Sequence, residues 1–233
     1  MKKTLLTSIA ALLLATGTVD AANMRIEKAL VTYNRQTYQS SNDWLVFIEG
    51  DIVSGDYAKF KKMADRLPYG TVVVMTSRGG LLVDGLNIGT TIKAKGFRTF
   101  AYDYCMSVCA MMWLAGWQRS TLSDTSIGFH GAGYENGEPS IAGNALAGAY
   151  LANLGYSYKV IAALINVGPK EMNWLSFEWA KALGIKVFRG GPCRDVTTNP
   201  IVPCSDNQSH SIDTRSGIPE TYCPSGQVTQ PCR

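Results

Sequence analysis

Ser107 is the residue of this 233-residue chain best placed for nucleophilic chemistry. It lies in Cys105-Met106-Ser107-Val108-Cys109-Ala110, at the head of a strongly apolar run that reaches Ala115. A serine needs a base to become a nucleophile, and that base is usually histidine. The chain holds two histidines. His210 falls in a polar C-terminal stretch, whereas His130 closes the apolar segment Ile127-Gly128-Phe129-His130 and is followed by Gly131. A side chain where a strand meets a glycine turn can point into a cleft. A third feature is Ser77-Arg78-Gly79-Gly80, whose glycine pair permits a sharp turn or a close approach of backbone to ligand. Taken singly, each feature also has a plain structural reading. Ser107 serves as a helix N-cap, His130 as a partly buried structural histidine, and the glycine pair as an ordinary strand-to-helix turn. The functional reading puts the Ser107 hydroxyl at a helix start, where free N–H groups favour negative charge developing on a substrate oxygen. The glycine pair lacks the spacing of a nucleotide-binding fingerprint, which argues against a Rossmann site or a P-loop.

The elements that must carry these residues alternate between strand and helix. Residues 44–49 and 71–76 are short apolar runs, the second β-branched, and both fit buried strands of a parallel sheet. Between them, 56–67 carries Tyr57, Phe60, Met63 and Leu67 near helical spacing and stops at Pro68, completing a strand–helix–strand unit. A second helix is predicted over 83–95, ended by Gly96, then a strand over 98–102, a buried helix over 107–115 and a strand over 126–130. Residues 140–165 are rich in Ala and Leu and read as helical; Ser176 caps a last helix through Leu183, and 185–188 reads as a final strand. No internal repeat is found.

Composition and charge narrow the function classes. Lys2 and Lys3, an apolar stretch over 5–18 and Val19-Asp20-Ala21 form the pattern of a secretory signal, with cleavage expected after Ala21 or Ala22. No later stretch has the roughly 20 apolar residues of a membrane helix. The expected product is soluble and periplasmic or secreted, with no membrane attachment after cleavage. Apolar residues make up 46% of the chain, enough for a real core. The net charge of +4 falls to +3 without Lys2, Lys3 and Asp20 and is scattered, so it gives no footprint for nucleic acid. Lys59, Lys61, Lys62 and Arg66 have the spacing of a solvated helix face.

Six cysteines, Cys105, Cys109, Cys193, Cys204, Cys223 and Cys232, are an even count that an exported protein uses for disulfides. No Cys-x-x-Cys occurs and only His210 lies near the last four, so no metal site is indicated, nor any cofactor. Cys105 and Cys109 flank Ser107; they read equally as a bridge pinning the nucleophile loop or as two small buried residues. Nearest-neighbour pairing of the tail joins Cys193 to Cys204 and Cys223 to Cys232, one of three pairings open to four cysteines. The organisation expected is a signal over 1–22, an α/β domain over 23–189, and a loop-rich, disulfide-held appendage over 190–233.

The order strand, Ser-Arg-Gly-Gly, helix, strand, Cys-Met-Ser-Val-Cys-Ala, helix, Ile-Gly-Phe-His resembles the proteolytic subunit of the Clp protease and the wider ClpP/crotonase superfamily. The likeness is nearest to exported ClpP-like proteins and runs from about Trp44 to Phe188. It implies an α/β fold with the ClpP/crotonase-like repeated β-β-α spiral core. It implies a serine hydrolase, a peptidase acting on a peptide or protein, with Ser107 as nucleophile and His130 as general base. Gly79 and Val108 would supply the N–H groups of the oxyanion hole. Trp174-Leu175-Ser176-Phe177-Glu178-Trp179-Ala180 with Leu183-Gly184 resembles the family's final helix and strand. Homo-oligomers follow from the same resemblance, with the Ala- and Gly-rich 141–155 suited to packing against another subunit. The ATPase partners of cytosolic members are not expected outside the cytoplasm.

The resemblance breaks at the family's third catalytic residue, an aspartate. Alignment on Leu175-Ser176 puts Gly168 there; Asn166 is the nearest polar residue before it, and Lys170 and Glu171 follow. Asparagine orients histidine in cysteine proteases, which makes Asn166 the candidate, with Asp103 and Asp124 as alternatives. Without a carboxylate, rates can fall by about 10⁴. The reading from sequence is therefore a Ser–His dyad or incomplete triad, against a catalytically weak or inactive binding or scaffold protein on the same fold. Acyl-CoA chemistry, as in crotonases, ranks last, because export separates the chain from CoA.

Overall fold

A computed structural model describes residues 21–33 and 36–190 and, beyond them, the strand segments 192–194, 201–203, 211–213 and 218–220. The leader expected over 1–22 lies outside the described residues except for Ala21 and Ala22. So do the pairings expected of Cys193, Cys204, Cys223 and Cys232.

The two apolar runs form neighbouring parallel strands, as their composition predicts. β1 (Asn23–Tyr33) and β2 (Gln36–Glu49) make an antiparallel pair, and β2 runs parallel to β3 (Val72–Ser77) with Val46 beside Val73. β1 was not foreseen from sequence, although Met24, Arg25, Ile26 and Glu27 alternate in the period of a half-buried strand. α1 (Asp56–Ala64) and α2 (Leu82–Lys95) follow the expected positions. β4 (Arg98–Met106) extends four residues past the predicted end, because the strand continues beyond a register shift and Tyr104–Met106 finds a further parallel partner. α3 (Val108–Leu114), β5 (Arg119–Thr121) and β6 (Ser126–Phe129) come next. The Ala-rich region is two helices, α4 (Ile141–Leu154) and α5 (Tyr158–Ile165). They part at Gly155, whose φ of 99° lies in the left-handed region that favours glycine. β7 (Asn173–Trp174), α6 (Phe177–Ala182) and β8 (Phe188–Arg189) complete the domain. Ser176 caps α6 as predicted, accepting from Trp179 N–H at 3.0 Å. The final strand starts later than expected, since Ile185 N–H turns back to Ala180 O and buries Ile185 under α6.

The sheet order is β1-β2-β3-β4-β5-β8, with β6 paired to β4 and β7 paired to β6. One edge of β4 therefore serves two parallel partners in turn. Thr99–Ala101 pairs with β5 and Tyr104–Met106 pairs with β6. On its other edge the register with β3 jumps between Met75/Ala101 and Ser77/Cys105. This bulge centres on Asp103, which adopts φ 59°. Bulges bend and re-aim a strand, and this one swings the end of β4 away from β5 toward β6.

Side chains alternate across the sheet. Val46, Ile48, Val73, Met75 and Ala101 join the main core with the helices, whereas Leu45, Phe47, Val72, Val74 and Phe100 form a smaller cluster on the opposite face. α3 is buried along its whole length, which accounts for its apolar sequence. It lies close against α2 at Gly85: a side chain there would place its Cβ 2.3 Å from Val108 Cγ2. Tyr150 of α4 then ties down the middle of α3, donating to Met111 O at 3.0 Å.

Candidate active site

β4 delivers Ser107 to the end of the sheet. Its N–H continues the strand ladder, donating to Gly128 O of β6 at 2.9 Å, and the residue after it starts α3. Ser107 thus occupies the N-cap position, but its side chain makes no capping bond. Its backbone, at φ 57° and ψ −128°, lies in a region that L-residues rarely adopt. Strain of this kind is found where a strand turns sharply into a helix and presents a nucleophile at the top of the sheet. The turn is locked covalently. Cys105, at the end of β4, and Cys109, in the first turn of α3, form a disulfide with their Cα atoms 5.2 Å apart. Both cysteines are fully buried, and the bridge spans Ser107 symmetrically. Of the two readings open from sequence, the bridge is the one the structure contains.

The glycine turn after β3 packs directly on this serine. A side chain at Gly79 would bring its Cβ within 2.6 Å of Ser107 Cβ and 3.1 Å of Ser107 Oγ, and Gly79 has φ 108°. Only glycine meets both conditions. The turn is clasped to the segment after β2 by Ile52 N–H to Gly79 O at 2.6 Å and Leu81 N–H to Ile52 O at 2.7 Å. Gly79 N–H donates to the buried Ser77 Oγ at 3.1 Å. Val108, the first residue of α3, has no intrahelical acceptor for its N–H, and Ser107 does not supply one. Arg78, on the rim, is paired with Asp51 at 3.0 Å, and that hydrogen bond raises its guanidinium further above its ordinary range.

The parallel pairing of β4 with β6 brings His130 to the same end. Met106 is opposite Gly128, so His130 follows two residues beyond the register partner of the residue before Ser107. The ring is partly buried. Its Nδ1 lies 2.7 Å from Gly131 O. A carbonyl only accepts, so Nδ1 is the donor in this contact, and in the neutral imidazole the lone pair is then on Nε2. No hydrogen bond joins Ser107 Oγ to the ring among the described residues. Such contacts are often long without substrate and tighten on binding.

Asn166 ends α5, exposed, and its Oδ1 accepts from Asn173 Nδ2 at 2.7 Å. Its backbone neighbour does approach the histidine segment, since Gly131 N–H donates to Val167 O at 3.0 Å. Asp103, at the bulge of β4, and Asp124, in the turn before β6, are both exposed. What stands behind His130 is a peptide group, not a side chain. Sequence reasoning passed over Asn144, which bonds to that peptide. The available signal was a lone amide in the otherwise Ala-, Gly-, Leu- and Tyr-built stretch 142–152. Among the described residues no cluster of His, Cys, Asp or Glu is arranged to hold a metal. No described helix is long and apolar enough to cross a membrane.

Comparison with known proteins gives a likeness of structure. No family model matches the chain, and no curated protein sequence matches it. Among solved structures, an asparagine-to-aspartate mutant of ClpP1 from Listeria monocytogenes matches with a TM-score of 0.50 at 21% identity, covering 62% of this chain and 91% of its own. A structure titled only as that of an enzyme has a TM-score of 0.49 at 11% identity, covering 62% of this chain and 94% of its own.

Proposed function

We propose that this chain, which has a ClpP-like fold, is an exported serine hydrolase acting on peptide or protein substrates. Ser107 Oγ attacks a carbonyl carbon as His130 Nε2 takes its proton. The resulting tetrahedral oxyanion lies against Val108 N–H and the Gly79 turn, with Gly79 N–H exchanging Ser77 Oγ for the oxyanion. His130 then returns the proton to the leaving group, and water repeats the sequence to free the acid. The observation that carries this reading is the backbone of Ser107. A strained, uncapped serine, braced by a disulfide and pressed against a glycine turn, is costly as mere structure but apt for a nucleophile. The Cys105–Cys109 bridge supports export, because oxidising compartments preserve disulfides. A homo-oligomer is part of the proposal, with α4 as a contact surface.

Labelling with a fluorophosphonate probe tests it. Wild type is expected to label and Ser107→Ala is not; an unlabelled wild type, or equal labelling of both, sinks the reading. A second reading is favoured by one observation, the carbonyl in place of a carboxylate at His130 Nδ1. On that reading the chain is a binding or scaffold protein on the same fold. Capture of the same partner by wild type and Ser107→Ala, with no labelling of either, is its signature.

A further inference from the structure

The carbonyl that holds His130 is itself held, and the group that holds it is 13 residues further along the chain. Gly131 C=O and Ala132 N–H belong to one planar peptide unit, so fixing either end fixes the other. Ala132 N–H donates to Asn144 Oδ1 at 2.8 Å. Asn144 Nδ2 in turn donates to Ala132 O at 3.3 Å and to Ser140 O at 2.9 Å. The same segment is anchored on its flanks by Ser140 N–H to Ala132 O at 2.8 Å and by Gly131 N–H to Val167 O at 3.0 Å. Gly131 is itself buried, and a Cβ there would lie 2.9 Å from Val167 O and 3.1 Å from Asn144 Oδ1.

We propose that Asn144 is a positioning residue for the base of the hydrolase reaction, acting through the Gly131–Ala132 peptide to hold His130 as its Nδ1–H tautomer. The inference rests on the hydrolase reading for its catalytic consequence. Its physical content is a chain of two hydrogen bonds through one amide. Asn144 Oδ1 sets the plane of the peptide and so the direction of the Gly131 carbonyl. By drawing on Ala132 N–H it also polarises the peptide and strengthens the bond from His130 Nδ1–H. The carbonyl then does what a carboxylate does elsewhere in orienting an imidazole, though without a negative charge to stabilise the imidazolium. This arrangement gives His130 the correct tautomer while Asn166 faces Asn173.

The experiment uses full-length exported protein and three variants. Asn144→Leu removes both halves of the clamp at similar volume. Asn144→Asp keeps an oxygen for Ala132 N–H but loses the donors to Ala132 O and Ser140 O. Asn144→Ala guards against misfolding caused by the leucine. The chain has two histidines, so ¹⁵N-histidine labelling gives two imidazole patterns, and His210→Gln assigns them. Wild type is expected to show the His130 Nδ1–H tautomer. Asn144→Leu and Asn144→Ala are expected to show mixed tautomers and a kcat lower by about 10- to 100-fold, with KM within about twofold, as for a misplaced catalytic group. Asn144→Asp is expected to recover the tautomer and most of kcat. A merely structural Asn144 would instead lower the thermal midpoint while leaving tautomer and kcat per folded molecule unchanged, and that result overturns the proposal. So does a wild-type His130 protonated on Nε2 alone. Should wild type prove inactive, the hydrolase reading fails, while the tautomer spectra still decide whether Asn144 positions the ring.

Discussion

Replacing Ser107 by glycine is predicted to make the protein more stable while abolishing any chemistry. Ser107 is held at φ 57° and ψ −128°, a conformation that glycine adopts freely and L-residues rarely do. Holding a residue with a Cβ there costs on the order of 1–3 kcal/mol. Glycine gives back about 0.4–1 kcal/mol through the greater freedom of the unfolded chain. The lost Cβ, on a partly buried residue, removes well under the roughly 0.8 kcal/mol of a fully buried methylene. The balance is about 1 kcal/mol in favour of glycine. Ser107→Ala is the control. It removes the hydroxyl, which makes no cap bond, and keeps the Cβ and the strain, so its stability should stay within about 0.5 kcal/mol of wild type. Urea and thermal unfolding with the Cys105–Cys109 bridge intact would measure the difference. For a domain of this size about 1 kcal/mol corresponds to a rise of roughly 2–4 °C in midpoint. If Ser107→Gly is no more stable than Ser107→Ala, no strain is stored at the serine, and the main structural argument for a nucleophile there is lost.

Two further outcomes follow from neighbouring contacts. The Cys105–Cys109 bridge closes a loop of five residues, for which the chain-entropy model gives about 2 kcal/mol. The Cys105→Ala/Cys109→Ala variant should lower the urea-unfolding free energy by about that amount and slow fluorophosphonate labelling of the folded protein; unchanged stability and labelling would show that the bridge does not brace the serine. Beside the segment that clasps the glycine turn, Ala22 is buried and its N–H lies 3.3 Å from Oδ2 of Asp56, a carboxylate only 1% exposed. If the proposed signal is cleaved after Ala21, that N–H becomes an ammonium facing a buried carboxylate, and N-terminal sequencing of the mature protein should find Ala22 first. A chain beginning at Asn23 would contradict this.

Local composition made much of this molecule legible. The runs at 44–49 and 71–76 are apolar on both faces, which suits parallel strands buried between layers, and that is how β2 and β3 pair. The glycine pair after β3, the serine before an unbroken apolar helix and the histidine at a strand end are each signals carried by a few adjacent residues. Even the disulfide was half visible, since Cys105 and Cys109 are close in sequence. What sequence left open was whether the two cysteines bridge or are simply small buried residues, since the path of the chain before the helix was not set. The bulge at Asp103 settled that by carrying β4 through to Met106.

The site's hydrogen bonds were decided by register and by folding at a distance. Pairing of β4 with β6 sets how far His130 stands from Ser107, and a shift of one residue in that ladder would turn the histidine to the other face. Asn166 sat closest to the expected position of a third catalytic group, yet the turn after α5 sends its amide to Asn173. Asn144, on a different helix, reaches the peptide behind His130 because α4 begins where the chain returns from the Gly131 turn. Residue type and spacing determined that a serine, a histidine and a glycine turn are available here. Which atoms face one another depends on hydrogen-bond directions good to a few tenths of an ångström, and those arise only when strand register and helix packing are set together.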